Sequence, residues 1–174
     1  MDLTLRRLTP DDLPAVEPWF RDQEMRRWLG DEAWPRMVLR LAAGSDRRFA
    51  FAASGPAGVA ALADVERYSD ERAAVALVVA PGSRRRGVGS ALARALARRP
   101  ELAGTLEFFG GVEAGNSAGA RLAVHAGCAP VSSPPDADGF RYFVAPQTAI
   151  LTGPAGRSRN VARARISRGS SPDA

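Results

Sequence analysis

VALVVAPGSRRRGVGSALARAL, the stretch from Val75 to Leu96, falls into three parts in the order strand, loop, helix. From Ala73 to Ala80 the chain is almost unbroken Ala, Val and Leu, which predicts a strand buried on both faces. Pro81 ends it. The consecutive arginines Arg84, Arg85 and Arg86 and the glycines Gly87 and Gly89 then lead into Ser90 to Arg99, where Leu92 and Leu96 recur at helical spacing. The first N–H groups of such a helix have no intrahelical partner and lie at the positive end of its dipole, so a phosphate or pyrophosphate can dock there. Gly87 and Gly89 are expected to let the backbone come close to the anion, with Val88 and Ser90 contributing main chain. The arginines would supply charge-assisted contacts. The plainer reading is a tight turn with solvated arginines.

Spacing separates three kinds of phosphate loop. A nucleotide P-loop needs Gly-Lys-Ser or Gly-Lys-Thr, and the chain contains no lysine. The dinucleotide fingerprint needs a third Gly or Ala where this chain has Leu92, and it follows the first strand of its domain, whereas this loop lies mid-chain. The third pattern is Arg or Gln, two residues, Gly, one residue, then Gly or Ala. Arg84, Gly87 and Gly89 satisfy it, and with Val79-Ala80-Pro81 just upstream the segment resembles motif A of the GNAT-type N-acetyltransferases. A second segment, NSAGARLAVHAGC from Asn116 to Cys128, is similar to a later motif of that family at Asn116, Leu122 and Gly127. It departs at Ala123, where the family has tyrosine, and at Cys128, where it has phenylalanine. The resemblance covers residues 1–146.

That resemblance implies an α/β (α+β) GNAT fold, a central mixed, mostly antiparallel sheet of about six to seven strands with helices on both faces. It implies acetyl-CoA as co-substrate and transfer of its acetyl group to a primary amine of a small molecule or a protein N-terminus, by direct attack in a ternary complex. The pantetheine arm would pair with the backbone of Leu77, Val78 and Val79 as an added strand, near Asn116, and the Val78 amide would stabilise the oxyanion. Gly110 and Gly111 would allow the fourth and fifth strands to splay there. The family's usual acids fall at Ala74 and Gly111. Glu113, two residues on and so on the same strand face, is the first substitute base, with Glu107 behind it. For the tyrosine replaced by Ala123, the substitutes as proton donor are Ser117, His125, Tyr142 or water. A histidine near a helix C-terminus is also held there for structural reasons alone.

A single cysteine, Cys128, and a single histidine, His125, imply no disulfide and no metal. No run of eighteen apolar residues and no basic-then-apolar leader occurs, so cytoplasm is the expected compartment. The net charge of +5 sits mostly in residues 147–174, which hold five arginines and one aspartate. That Arg/Ser/Gly-rich tail is expected to be disordered, after a folded domain over residues 1–146. Thr9-Pro10-Asp11-Asp12 reads as a helix start, and Pro14 and Pro18 as breaks, followed by helical pieces over residues 22–29 and 34–43. Trp19, Phe20, Trp28 and Trp34 are expected in the core, and the WLGD sequence from Trp28 is similar to the acceptor region of aminoglycoside and ribosomal-protein N-terminal acetyltransferases. Strands are expected over 48–54, 57–66, 73–80, 106–112 and 140–145, with a helix over 116–126. Two other readings stand beside the enzyme: an acyl-CoA-binding sensor or weakened paralogue, and a protein that binds nucleic acid through its arginine tail. A homodimer is common in the resembling family.

Overall fold

Short apolar runs separated by turn residues make hairpins, and the computed structural model, which describes residues 3–131 and 134–152, folds the first four strands into an antiparallel meander. These are β1 (Thr4–Arg7), β2 (Arg48–Gly55), β3 (Gly58–Arg67) and β4 (Arg72–Val79). With β5 (Glu107–Glu113), β6 (Ala129–Pro130) and β7 (Phe140–Pro146) they form one seven-stranded sheet in the order β1-β2-β3-β4-β5-β7-β6. Among the described residues its only parallel neighbours are β4 and β5.

The two-residue period of the strands sorts their side chains into two cores. Phe49, Phe51, Ala63, Val65 and Phe108 pack with Leu92 and Leu96 of α4 (Val88–Leu96) on one face. On the other, Ala50, Ala52, Leu62 and Val78 meet Val16, Phe20 and Val38 from the N-terminal helices. Those helices are α1 (Leu13–Val16), α2 (Gln23–Leu29) and α3 (Trp34–Ala43). The Thr9 N–H donates to Asp12 Oδ2 at 2.9 Å at the start of the series, and 3-10 turns at Pro10–Asp12 and Glu17–Arg21 carry the prolines. Asp22 caps α2, its Oδ1 accepting from the Met25 N–H at 3.0 Å.

The parallel pairing of β4 with β5 lasts only from Arg72↔Glu107 to Ala74↔Phe109, after which the strands part. At the parting, a Cβ on Gly110 would lie 2.8 Å from the Val75 carbonyl oxygen, so only glycine lets the two backbones approach there. The opening corrects the expectation that β4 is buried on both faces. Val75, Ala76 and Leu77 are half-buried because they line a gap and lack a neighbouring strand.

Three further differences concern element limits. The fifth strand starts one residue late, because Leu106 is 61% exposed and its N–H is held by the Glu71 carbonyl. The two-residue β6 carries no pattern in the sequence and exists through its pairing with Val144 and Phe143. The folded part also continues past residue 146 into α6 (Gln147–Thr152), which buries Ile150 against the α4 side of the sheet. The remainder of the expected tail, residues 153–174, lies outside the described residues.

Candidate functional site

The hydrogen-bond phase of β4 decides which of its amides face the gap. Antiparallel pairs alternate between those that exchange two hydrogen bonds and those that exchange none. The Tyr68 N–H donates to the Arg72 carbonyl at 2.8 Å and the Ala80 N–H to the Ala60 carbonyl at 2.9 Å, and the register between them is unbroken. Even-numbered residues of β4 therefore bond to β3, and Val75, Leu77 and Val79 turn their N–H and C=O groups towards β5. This corrects the reading of Val78 as oxyanion donor. Its amide belongs to the β3 ladder and its side chain to the core under α1–α3, whereas the Leu77 and Val79 amides face the opening. On the opposite side, bonds from Ala114 N–H to Gly139 O and from Gln147 N–H to Leu106 O tie even-numbered β5 residues to β7. The backbone of Phe109, Gly111 and Glu113 thus forms the facing edge.

A cleft of about 1210 Å³ runs from this opening over the Pro81–Ser90 loop. It collects Leu77, Val78, Val79, Arg84, Arg85, Arg86, Gly87, Val88, Gly89, Ser90 and Asn116, the residues expected around an anion and its tether. The N-terminus of α4 carries no side-chain cap, which leaves its first amides open to a ligand. Gly87 there adopts φ +79, a left-handed conformation that suits glycine. Arg85 is also left-handed, at φ 59. Gly89 has a different reason: a Cβ on it would lie 2.5 Å from Leu122 Cδ1 of α5 (Ser117–His125), so it allows α4 and α5 to pack closely.

The arginines are not equivalent. Arg84 reaches across the cleft to α2, donating to Glu24 Oε2 at 2.6 Å and Asp22 Oδ1 at 3.0 Å, while Arg85 and Arg86 are exposed at the loop. The Asp22 carboxyl is held below its usual range, first by the Met25 N–H bond and then by Arg84. A further cation, Arg121, lines the same cleft from α5. Ala118, Arg121, Leu122 and His125 recur at i, i+3, i+4 and i+7, a pattern visible in the sequence that marks the helix face turned to the cleft.

Of the proposed proton carriers, the structure brings only some to the opening. Glu113 lies on the strand face of Gly111, exposed at the end of β5 and lining a second, apolar hollow of about 180 Å³ in the gap itself. Ser117 is exposed on the first turn of α5 and lines neither space. His125 lies along the cleft, with Nδ1 2.7 Å from the Arg121 carbonyl. Ala123 lines the hollow, and two residues turn a helix by about 200°, so His125 cannot stand in for a side chain at position 123. Asn116 caps α5, its Oδ1 accepting from the Gly119 N–H at 2.8 Å, and lines both spaces. Trp28 also lines both, and a Cβ on Gly115 would lie 3.6 Å from its ring. Its three aromatic companions pack into or against the core as expected, Phe20 stacked on Trp34 at 5.5 Å. Beside the gap, Tyr68 meets Phe109 at 5.7 Å. Among the described residues no group of His, Cys, Asp and Glu could hold a metal ion, and no helix is long and apolar enough to cross a membrane.

Comparison with known proteins agrees with this geometry. No curated protein matches the chain. Among solved structures, the aminoglycoside acetyltransferase AAC(6')-Ib in complex with coenzyme A superposes with a TM-score of 0.70 at 18% identity, over 87% of this chain and 98% of that one. Spermidine N-acetyltransferase from Vibrio cholerae, in complex with CoA and spermine, gives 0.70 at 14% identity over 86% and 98%. An acetyltransferase from Thermus thermophilus gives 0.69 at 21% identity over 84% and 97%. The sequence model of the acetyltransferase (GNAT) domain matches residues 2–129. A sheet split beside an uncapped helix, joined to that match over most of the chain, makes this protein a member of the GNAT acetyltransferase family.

Proposed function

We propose that the chain transfers an acetyl group from acetyl-CoA to the primary amine of a small molecule or a protein N-terminus, by direct attack with both substrates bound. The observation that carries this reading is the gap between β4 and β5, opening onto the uncapped N-terminus of α4. The residues present suit a pyrophosphate and its pantetheine arm. The amides at the start of α4, with Arg85, Arg86 and Arg121, meet the anion, and the free edge of Leu77 and Val79 offers strand-like pairing to the arm. The coenzyme-bound aminoglycoside and spermidine enzymes of the same fold support a small-molecule amine as acceptor.

The amine nitrogen attacks the thioester carbonyl carbon, a C–N bond forms as the C–S bond breaks, and the coenzyme leaves as its thiol. The Leu77 N–H is oriented to meet the negative charge that develops on the carbonyl oxygen, a contact worth about 3 to 4 kcal/mol where such donors have been removed. An alkyl ammonium with a pKa of about 10 must lose a proton first, and Glu113 lies on the face of β5 that also presents Phe109 and Gly111. Its carboxylate accepts that proton directly or through water. Neither Ala123 nor Ala74 can carry a proton, so holding amine and thioester together supplies much of the acceleration.

Calorimetry with acetyl-CoA, followed by thiol release across a panel of amines, tests the reading. Saturable binding and amine-dependent release are expected. Absence of binding removes the proposal, while binding without release for any amine leaves a coenzyme sensor.

A further inference from the structure

The hollow in the gap is larger than an acetyl group requires, and one end of it leads away from the acceptor. The acceptor-side end, under α2, is walled by Trp28, Phe109 and Glu113. The opposite end, between the sheet and α4–α6, is walled by Leu96, Phe108, Ala123, Ala126, Phe143 and Ile150. No charged residue lines that inner end among the described residues. Cys128 also lines the hollow, and burial pushes its thiol up to about 11, so it stays protonated and the wall stays neutral. The space exists because small residues face it: Ala76 on β4, Ala93 on α4, Gly110 on β5, and Ala123 and Ala126 on α5.

From this hollow we infer that the site accepts acyl-CoA donors longer than acetyl, with the alkyl chain buried between β4, β5 and α4–α6. The inference rests on the proposed acyl transfer and names the class of donor for it. The hollow holds about 180 Å³, and an apolar cavity of about 150 Å³ takes a guest the size of benzene. A chain of about four to six carbons is therefore within its reach. Burying a methylene contributes about 0.8 kcal/mol, or roughly fourfold in affinity, so the two added in butyryl-CoA amount to about fifteenfold over acetyl-CoA. The transfer is balanced as for acetyl: the same C–S bond breaks, the same C–N bond forms, and the longer acyl group passes to the amine.

The test is calorimetry of the full chain with acetyl-, butyryl- and hexanoyl-CoA, with CoA alone as reference. Butyryl- or hexanoyl-CoA should bind about tenfold or more tightly than acetyl-CoA. Equal or weaker binding of both longer thioesters overturns the inference and leaves the acetyl reading standing. Failure of every CoA species to bind removes the proposed function as well, so the two failures are distinct. Ala123→Phe locates the chain, because a benzyl group there fills the hollow and should bring the butyryl-to-acetyl affinity ratio to about one. A ratio unchanged in a folded A123F variant overturns the assignment to this hollow. Should that variant fail to fold, the wild-type series alone decides.

Discussion

Gly87 and Gly89 are two residues apart and are required for different reasons. No described residue lies within 4 Å of a Cβ on Gly87, yet its φ is +79, so Gly87→Ala costs about 1 to 2 kcal/mol of backbone strain and sets a methyl where the proposed anion would dock. Coenzyme affinity should fall about tenfold, as expected when a charge-assisted hydrogen bond is displaced, while the melting temperature falls by about 2 to 8 °C. Gly89→Ala drives the Leu122 side chain aside and disturbs both spaces that Leu122 lines. Its effect should be relieved in part by Leu122→Ala, a coupling that a double-mutant cycle in coenzyme binding reads directly. Glu113→Gln should lower kcat about a hundredfold with coenzyme affinity unchanged, read from steady-state kinetics and calorimetry. Asp12 belongs to stability. Two bonds from Arg6, at 2.6 and 2.7 Å, hold its carboxyl down at about 2. The unfolded chain then binds the extra proton first, so this contribution is complete above about pH 4 and is lost as pH falls towards 2. Asp12→Asn should flatten the acid branch of a stability-against-pH curve over that range.

Among the elements, α6 shows most clearly what a sequence conceals. Its six residues, QTAILT, follow directly on Pro146 and are too few to display a period, and the arginines beyond them suggested a solvated tail. Tertiary burial of Ile150 at 5% exposure makes it a helix. Ile150→Ala should cost about 2 to 4 kcal/mol in chemical denaturation, more than any exposed position of α5. The two-residue β6 was hidden for the same reason. By contrast, the strand–loop–helix from β4 to α4 was legible, because its parts are adjacent in sequence and each has a local cause: Pro81 as stop, Gly87 as left-handed cap, Leu92 and Leu96 as buried face. The site was legible only as far as such adjacency extends. Which β4 amides face the gap depends on the phase of pairing with β3, and that phase moves the proposed oxyanion donor from Val78 to Leu77. The union of Arg84 with Asp22 and Glu24 spans some sixty residues of chain. Arg121 and Trp28 likewise come to line the same cleft as the loop only after folding.

At the scale of the whole molecule, one strand pair of three residue pairs, Arg72↔Glu107 to Ala74↔Phe109, joins β1–β4 to β5–β7–β6. The sheet is thus a book whose spine is three rungs long, with its pages held elsewhere by helices and by whatever lies between them. Free amides on the facing pages exchange with solvent readily, since the pairing with β5 ends at Ala74↔Phe109 and no ladder protects Leu77 or Val79 on that side. Amide hydrogen exchange should therefore slow at those residues and at Gly111 when the coenzyme binds, with little change along β2. A donor molecule in this family member would then be masonry as well as reagent, and between turnovers the emptied protein would be the looser of its two forms.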